Sequence, residues 1–283
     1  MASSFTLRRR TLCKALVACV GSMIGAGGIA AEAPVNMSAH YAIYMTHVRV
    51  GEITWVAYFS DQTYLTSANG KASGVFSVLI SGEGSVTTHG AMAGGQLTPT
   101  SVTTSVTDDD GHSEEQITFK NGVLTKVDNR GAPPKPDLVQ VTPELLRRVT
   151  DPLSAMLIPV EGHALAQANC DKTLRIFDGR RRYNLALSYK RTDTMKVAHG
   201  YAGPVLVCGV VLRAIAGYDP DSLLVRYLAG KDDLELWFAP VAGRKVIAPI
   251  RALMPTLIGT LELRAIDFEA LGPEPAHGSA PPQ

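Results

Sequence analysis

The sequence predicts an all-β fold, mainly antiparallel, in which a curved sheet forms a barrel, half-barrel or sandwich. Three observations carry this expectation. Apolar and polar residues alternate with period two along most of the chain. Turn signals such as Asn121-Gly122 and Asp178-Gly179 interrupt that alternation at short intervals. No regular strand–helix–strand alternation of the kind that builds parallel sheets occurs. With 46% hydrophobic and 19% charged residues, the 283-residue chain has ample apolar material for a core, which excludes global disorder.

The N-terminus reads as a signal peptide over residues 1–30. Arg8-Arg9-Arg10 and Lys14 supply the positive region, and Ala15 to Ala30 form an apolar stretch of 16 residues, too short and glycine-rich for a membrane span. Small residues follow, so cleavage is expected after Ala30, Ala31 or Ala33. Leu16-Val17-Ala18-Cys19 has the form of a lipobox, but only four uncharged residues separate Lys14 from Cys19, so a lipoprotein is the lesser expectation. Arg9-Arg10-Thr11-Leu12-Cys13-Lys14 resembles a twin-arginine signal, and the ordinary secretory route stays open beside it. Either route leads to the periplasm. Residues 31–39 are expected to be a flexible segment, 40–270 a single β domain, and 271–283, rich in Pro, Ala and Gly, a disordered tail. No transmembrane segment is expected in the mature chain.

Strands account for most of the rest. Tyr41, Ile43 and Met45 alternate with Ala42, Tyr44 and Thr46, and a second run with Ile53, Trp55, Ala57 and Phe59 on one face begins after a turn at Gly51-Glu52. Gln62 to Asn69 and Gly74 to Ser81 continue the pattern until Gly82-Glu83-Gly84 breaks it. Ser85 to Thr107, rich in Thr and Ser, reads as exposed or edge strands. Asp108-Asp109-Asp110-Gly111 lacks the spacing of a calcium loop and fits a hairpin turn with Gly at positive φ. Asn121-Gly122 predicts a type I′ hairpin between Ile117–Lys120 and Val123–Val127, and Ala132 to Pro136 form a stiff connector. Thr142-Pro143 and Asp151-Pro152 are helix starts, which places one or two short helices near 143–157. Strands resume after Cys170. Tyr183, Leu185, Leu187 and Tyr189 share a face, Val205 to Ile215 reads as buried on both faces, and Leu223–Leu228, Leu234–Phe238 and Lys245–Ile250 follow. In the closing run from Thr256 to Phe268 the phase slips at Ala265-Ile266, which predicts a bulge.

Of four cysteines, Cys13 and Cys19 fall in the signal. Only Cys170 and Cys208 remain, and an even remainder in an oxidising compartment predicts a disulfide. Without residues 1–30, which hold four bases and no acid, the chain has 23 basic and 26 acidic residues, about −3 net. That balance gives no basic stripe for phosphate neutralisation and excludes a nucleic-acid binder.

The order of these pieces resembles the domain of unknown function 3108, a family of exported bacterial proteins. The resemblance covers about residues 40–268. It rests on Tyr41-Ala42-Ile43-Tyr44 leading into Gly51, on Gly74-Val75-Phe76-Ser77, and on Asp151-Pro152-Leu153-Ser154-Ala155-Met156-Leu157. Ile176-Phe177-Asp178-Gly179-Arg180-Arg181-Arg182-Tyr183 and a late Trp237 running to Pro240 complete it. It implies an envelope location and an antiparallel β architecture, and brings no activity with it.

The residues themselves point to no reaction. No Gly-x-Ser-x-Gly or His-Glu-x-x-His occurs, no phosphate-cradling glycine loop is present, and the histidines are scattered, so no catalytic residue, metal or cofactor is assigned. Arg180-Arg181-Arg182 with Tyr183 is a candidate contact for an anionic ligand, set against a solvated hairpin whose arginines guard an edge or pair with Asp178. Three functions therefore stand. The first is a non-enzymatic carrier of an amphipathic lipid or glycan, with a cavity lined by Tyr183, Leu185 and Leu187. The second is an assembly partner that binds envelope proteins by strand addition at residues 85–107. The third is a hydrolase or transferase whose site is assembled from distant residues.

Overall fold

The computed structural model describes residues 37–72, 82–109, 111–131, 137–229, 231 and 233–269. The chain divides into Met1–Glu32, outside the described residues, and Ala33–Gln283, the unit described below. The signal peptide, the strand expected at 74–81, the proline-rich connector and the tail thus fall largely or wholly outside the described residues.

The first half is an up-and-down run of seven strands: β1 (Met37–Met45), β2 (Val48–Phe59), β3 (Thr63–Ala72), β4 (Gly82–Ala93), β5 (Gln96–Asp108), β6 (Gly111–Lys120) and β7 (Val123–Arg130). The second half holds β8 (Ile158–Pro159), β9 (Lys172–Phe177), β10 (Arg182–Lys196), β11 (His199–Gly200), β12 (Ala202–Ala216), β13 (Leu234–Pro240), β14 (Val246–Thr256) and β15 (Gly259–Glu269). All belong to one sheet ordered β7-β6-β5-β4-β3-β2-β1-β15-β14-β13-β12-β10-β9, with β8 beside β14 and β11 beside β15. The pairings are antiparallel except the short β11–β15 contact. The sheet is curved and open: its ends, β7 and β9, do not pair, which excludes the closed barrel. The outer edge of β9 is instead occupied by Thr150, which donates to Arg175 O at 2.9 Å and accepts from Phe177 N at 2.9 Å.

Several local expectations hold. Lys120 pairs with Val123 around Asn121 (φ +53°) and Gly122 (φ +73°), both left-handed as a type I′ turn requires. Ile266 is the extra residue of a bulge between the pairs Tyr41–Ala265 and His40–Asp267. Helical turns stand at Pro143–Leu146 and in α1 (Pro152–Met156).

Several expectations are corrected. The first hairpin turns at Thr46-His47, both at positive φ, because Met45 pairs with Val48. Gly51 lies inside β2, where a Cβ would sit 3.0 Å from Lys71 O and 3.2 Å from the Ile43 side chain. Gly82-Glu83-Gly84 opens β4 rather than ending a strand. Residues 85–107 are interior strands, since β4 bonds to β3 and β5, and β5 to β6; their hydroxyl side chains reflect one polar face, not a free edge. Leu223–Ala229 is a helix, α2, started by Ser222, whose hydroxyl accepts from Val225 N at 3.4 Å. A run of seven mostly apolar residues satisfies helix and strand patterns alike. Met37, fully buried, already belongs to β1, inside the segment expected to be flexible.

The core occupies both faces of the second half. Val205, Val207, Trp237, Ala239, Val246 and Ala248 pack with Tyr41, Trp55 and Phe268 in one cluster. Their neighbours Leu206, Cys208, Leu236, Phe238 and Ile247 pack in a second, under Ile158, Val160 and Cys170. The expectation of a strand buried on both faces at Val205–Ile215 is met over Val205–Val210. The Cys170–Cys208 disulfide, with Cα atoms 5.5 Å apart, fastens the covering segment to β12. A third cluster joins Val102, Ile117 and Phe119 of the first half to Val149 and Phe177.

Candidate functional site

The arginine triplet is spent largely on contacts within the fold, and one member, Arg180, ties the two halves together. Arg180 ion-pairs with Glu115 of β6, which is 5% exposed. Arg182 is buried and donates to Leu145 O at 2.9 Å, to Tyr183 O and to Asn184 Oδ1 at 2.7 Å. Arg181 is exposed, 6.0 Å over the Tyr218 ring. Asp178 Oδ1 accepts from the backbone of Arg180 and Arg181, closing the tight turn. Burial raises the phenol of Tyr183, and Asp178 adds to the effect; the same causes push Tyr218 up to about 12. Leu185, Leu187 and Tyr189 pack in the second core cluster beside the disulfide. The space that a lipid carrier would need there is therefore filled.

A second constellation forms where α1 meets the sheet. Asp151 is fully buried, and its Oδ1 accepts from Thr88 Oγ1 (2.8 Å), Leu153 N (3.0 Å) and Ser154 N (3.1 Å). Ser154 Oγ in turn shares a 2.5 Å hydrogen bond with Tyr64 OH. This side chain is both the cap of α1 and the tie from α1 to β4, so the sequence signal for a helix start marked a residue with a larger role. Burial raises its carboxyl above the usual range, against the pull of the bonds from Ser154 and Thr88. Oδ2 and the neighbouring Thr150 Oγ1 are buried without a hydrogen-bond partner. A cavity of about 190 Å³ lies alongside, bordered by Thr150, Ser154, Leu157, Lys172 and Leu174. Asp151, Thr88, Ser154 and Tyr64 are each at most 5% exposed and bond to one another, as a tie inside the fold does.

The accessible chemistry lies on the polar face of the sheet. Across β2–β5 a groove of about 410 Å³ is lined by Thr54, Asn69, Lys71, Ser85, Ser105 and Thr107. Register explains their convergence: Thr54 pairs with Asn69, Asn69 with Ser85, and Ser85 with Ser105. Glu52 at the rim pairs with Lys71 (3.0 Å) and Arg49 (2.8 Å), and the hydrogen bond from Lys71, then the charges around it, hold its carboxyl below the ordinary value.

The adjacent cross-strand row, through Lys71 and Glu52, continues past Ala42 into charged and aromatic residues. Arg264 pairs with Ala42, Arg251 with Arg264, and Trp237 with Arg251. Arg251 stands 4.8 Å and Arg191 5.1 Å from the Trp237 ring centre, and Arg264 5.5 Å from that of Tyr44. Glu262 takes Arg251 Nε at 2.7 Å and two nitrogens of Arg264 at 2.8 Å each. Glu235 takes both Nη groups of Arg191 (3.0 and 3.1 Å) and Trp237 Nε1 (3.0 Å), and the Arg191 bonds bring its carboxyl down to about 2. Sequence reasoning missed this belt. Its members lie on five strands, and only the register brings them together.

Among the described residues no helix is long and apolar enough to cross a membrane. Residues 40–265 match the model of a family described as protein of unknown function (DUF3108). No curated protein and no solved structure matches the chain.

Proposed function

Since this chain belongs to the DUF3108 family, whose description assigns no activity, we propose its function from its own geometry: a non-enzymatic binding protein of the periplasm that holds a glycan on the polar face of its sheet. The observation that carries this reading is the groove over β2–β5. Its volume falls in the range of small-ligand sites, and its walls are hydroxyls, an amide, an ammonium and, at the Lys71 end, the carboxylates of Glu52 and Glu83, all set at strand spacing. Sugar hydroxyls both donate and accept, as Ser, Thr and Asn side chains do, and a four-strand floor holds those partners in place before the ligand arrives. A glycan is favoured over a lipid because the apolar side chains that would line a lipid cavity pack against the disulfide. Partner binding by strand addition at 85–107 has no open edge to use. A structural role for Asp151, Ser154 and Tyr64 supports a binder over a hydrolase, and the disulfide suits an oxidising compartment.

Titration of the mature chain with a panel of oligosaccharides, by calorimetry, tests the reading. At least one glycan class is expected to bind with a dissociation constant of about 1 mM or tighter, and Ser85→Trp, which fills the groove, is expected to abolish that binding with the melting temperature kept. A panel without a single binder, or an equally competent Ser85→Trp protein, would overturn it. Cell fractionation with N-terminal sequencing tests the location; an intact N-terminus in the cytosol would refute it.

A further inference from the structure

We infer that Arg251 and Arg264 form a subsite for an acidic group of the bound glycan, a carboxylate or a phosphate ester, so that the ligand is an acidic rather than a neutral glycan. The inference rests on the groove reading and extends it along the adjacent row of the sheet.

Its first support is an imbalance of charge. Arg251 and Arg264 lie directly opposite each other on adjacent strands, an arrangement that is unfavourable for like charges. One carboxylate, Glu262, answers both, and its side chain is only 12% exposed, so one positive charge is left over on the surface. Glu262 engages Nε of Arg251 and Nε and Nη2 of Arg264. Both Nη groups of Arg251 and Nη1 of Arg264 bond to no described residue. Their side chains are 25% and 46% exposed, so these donors are within reach of a ligand.

The second support is rigidity. Each guanidinium is held over a ring, Trp237 for Arg251 and Tyr44 for Arg264, and is fixed at Nε by Glu262. A planar donor fork held this way loses little entropy when it meets an oxyanion, the situation in which arginine outperforms lysine. Arg191, by contrast, has its donors taken by Glu235 and Asp193, and serves to hold Trp237.

The third support is distance. Arg264 on β15 is two strands from Glu52 on β2, about 10 Å at the usual strand spacing. One oligosaccharide laid across the strands reaches from the groove to the arginines.

The test compares a hexamer of a uronic acid with an uncharged glucose hexamer, by calorimetry at low and at physiological salt. The wild-type chain is expected to bind the acidic hexamer at least about ten-fold more tightly, with the advantage shrinking as salt rises. Arg251→Gln combined with Arg264→Gln should remove that preference and leave the weaker neutral binding unchanged, at a lower melting temperature because Glu262 loses both its partners. Arg251→Lys with Arg264→Lys keeps the charge without the fork and should fall between. Equal affinity for the two hexamers, or a preference that survives the Gln pair, would overturn the subsite while leaving the groove reading intact. Binding of neither hexamer, nor of any other glycan, would overturn the groove reading itself.

Discussion

Replacing Asp151 separates two roles that one carboxylate plays in this fold. Asp151→Ala removes the acceptor of three hydrogen bonds. Losing a helix cap costs about 1 kcal/mol, and stranding the buried Thr88 hydroxyl costs about 1–3 kcal/mol more, so a loss of about 3 kcal/mol is expected. That is a large fraction of the ~5–15 kcal/mol that holds a domain folded. Asp151→Asn keeps an acceptor in the Oδ1 position and exchanges Oδ2, which has no partner, for an amide nitrogen. It also removes the cost of burying a charge, so its stability at neutral pH should lie within about 1 kcal/mol of wild type. The pH dependence has a definite sign. The folded-state pKa of Asp151 is raised, while the unfolded value is about 3.9. Between the two the folded chain holds a proton that the unfolded chain has lost, so wild type gains stability relative to Asp151→Asn as pH falls through that window. The slope cannot exceed about 1.4 kcal/mol per pH unit. Urea unfolding followed by the fluorescence of Trp55 and Trp237, from pH 7 to pH 4, measures both quantities. An Asn variant as unstable as the Ala variant, or a wild-type advantage that shrinks on acidification, would refute the assignment.

Glu235 carries the opposite sign. Its pKa, lowered to about 2 mainly by the Arg191 bonds, makes its contribution complete above the unfolded value near 4.3 and lost as pH falls toward 2, so Glu235→Gln should flatten the acid limb of the unfolding curve. Cys170 and Cys208 are fully buried, so native protein should resist dithiothreitol, while a Cys170→Ala/Cys208→Ala chain should lose about 4 kcal/mol in urea unfolding; rapid reduction of the folded protein would contradict this placement. A Cβ at Gly90 would lie 2.1 Å from the Tyr64 ring, so Gly90→Ala should cost about 1–3 kcal/mol by calorimetry, and a neutral result would mean that the ring sits elsewhere.

Local chemistry was legible in the sequence, and pairing was not. Asn121-Gly122 specifies its hairpin because two adjacent left-handed residues suit few other turns. The disulfide could be read because only Cys170 and Cys208 lie outside the segment expected to be a signal. Gly51 misled because glycine marks close approach inside a strand as well as turns, and Thr46-His47 carries no turn signature of its own. The α2 segment misled because seven mostly apolar residues satisfy either period. Strand order was invisible, and with it the belt: Glu262 and Arg264 share a face through period two, but only pairing with β14 brings Arg251 to them. The arginine triplet drew attention through its charge density, although burial and the Glu115 pair occupy most of it.

The first and last strands are neighbours in the middle of the sheet, β1 bonded to β15 along eight residue pairs. Every other main-path pairing within a half joins strands close in sequence, so each half can assemble from its own hairpins as it emerges. The seam between them closes only when the final strand has appeared, which makes it the slowest contact to form and leaves β1 with a bare edge until then. Under the export proposed above, N-terminus first, the vulnerable interval would last the whole of translocation. Loss of a few residues from β15 would make that interval permanent, with aggregation through β1 as the outcome.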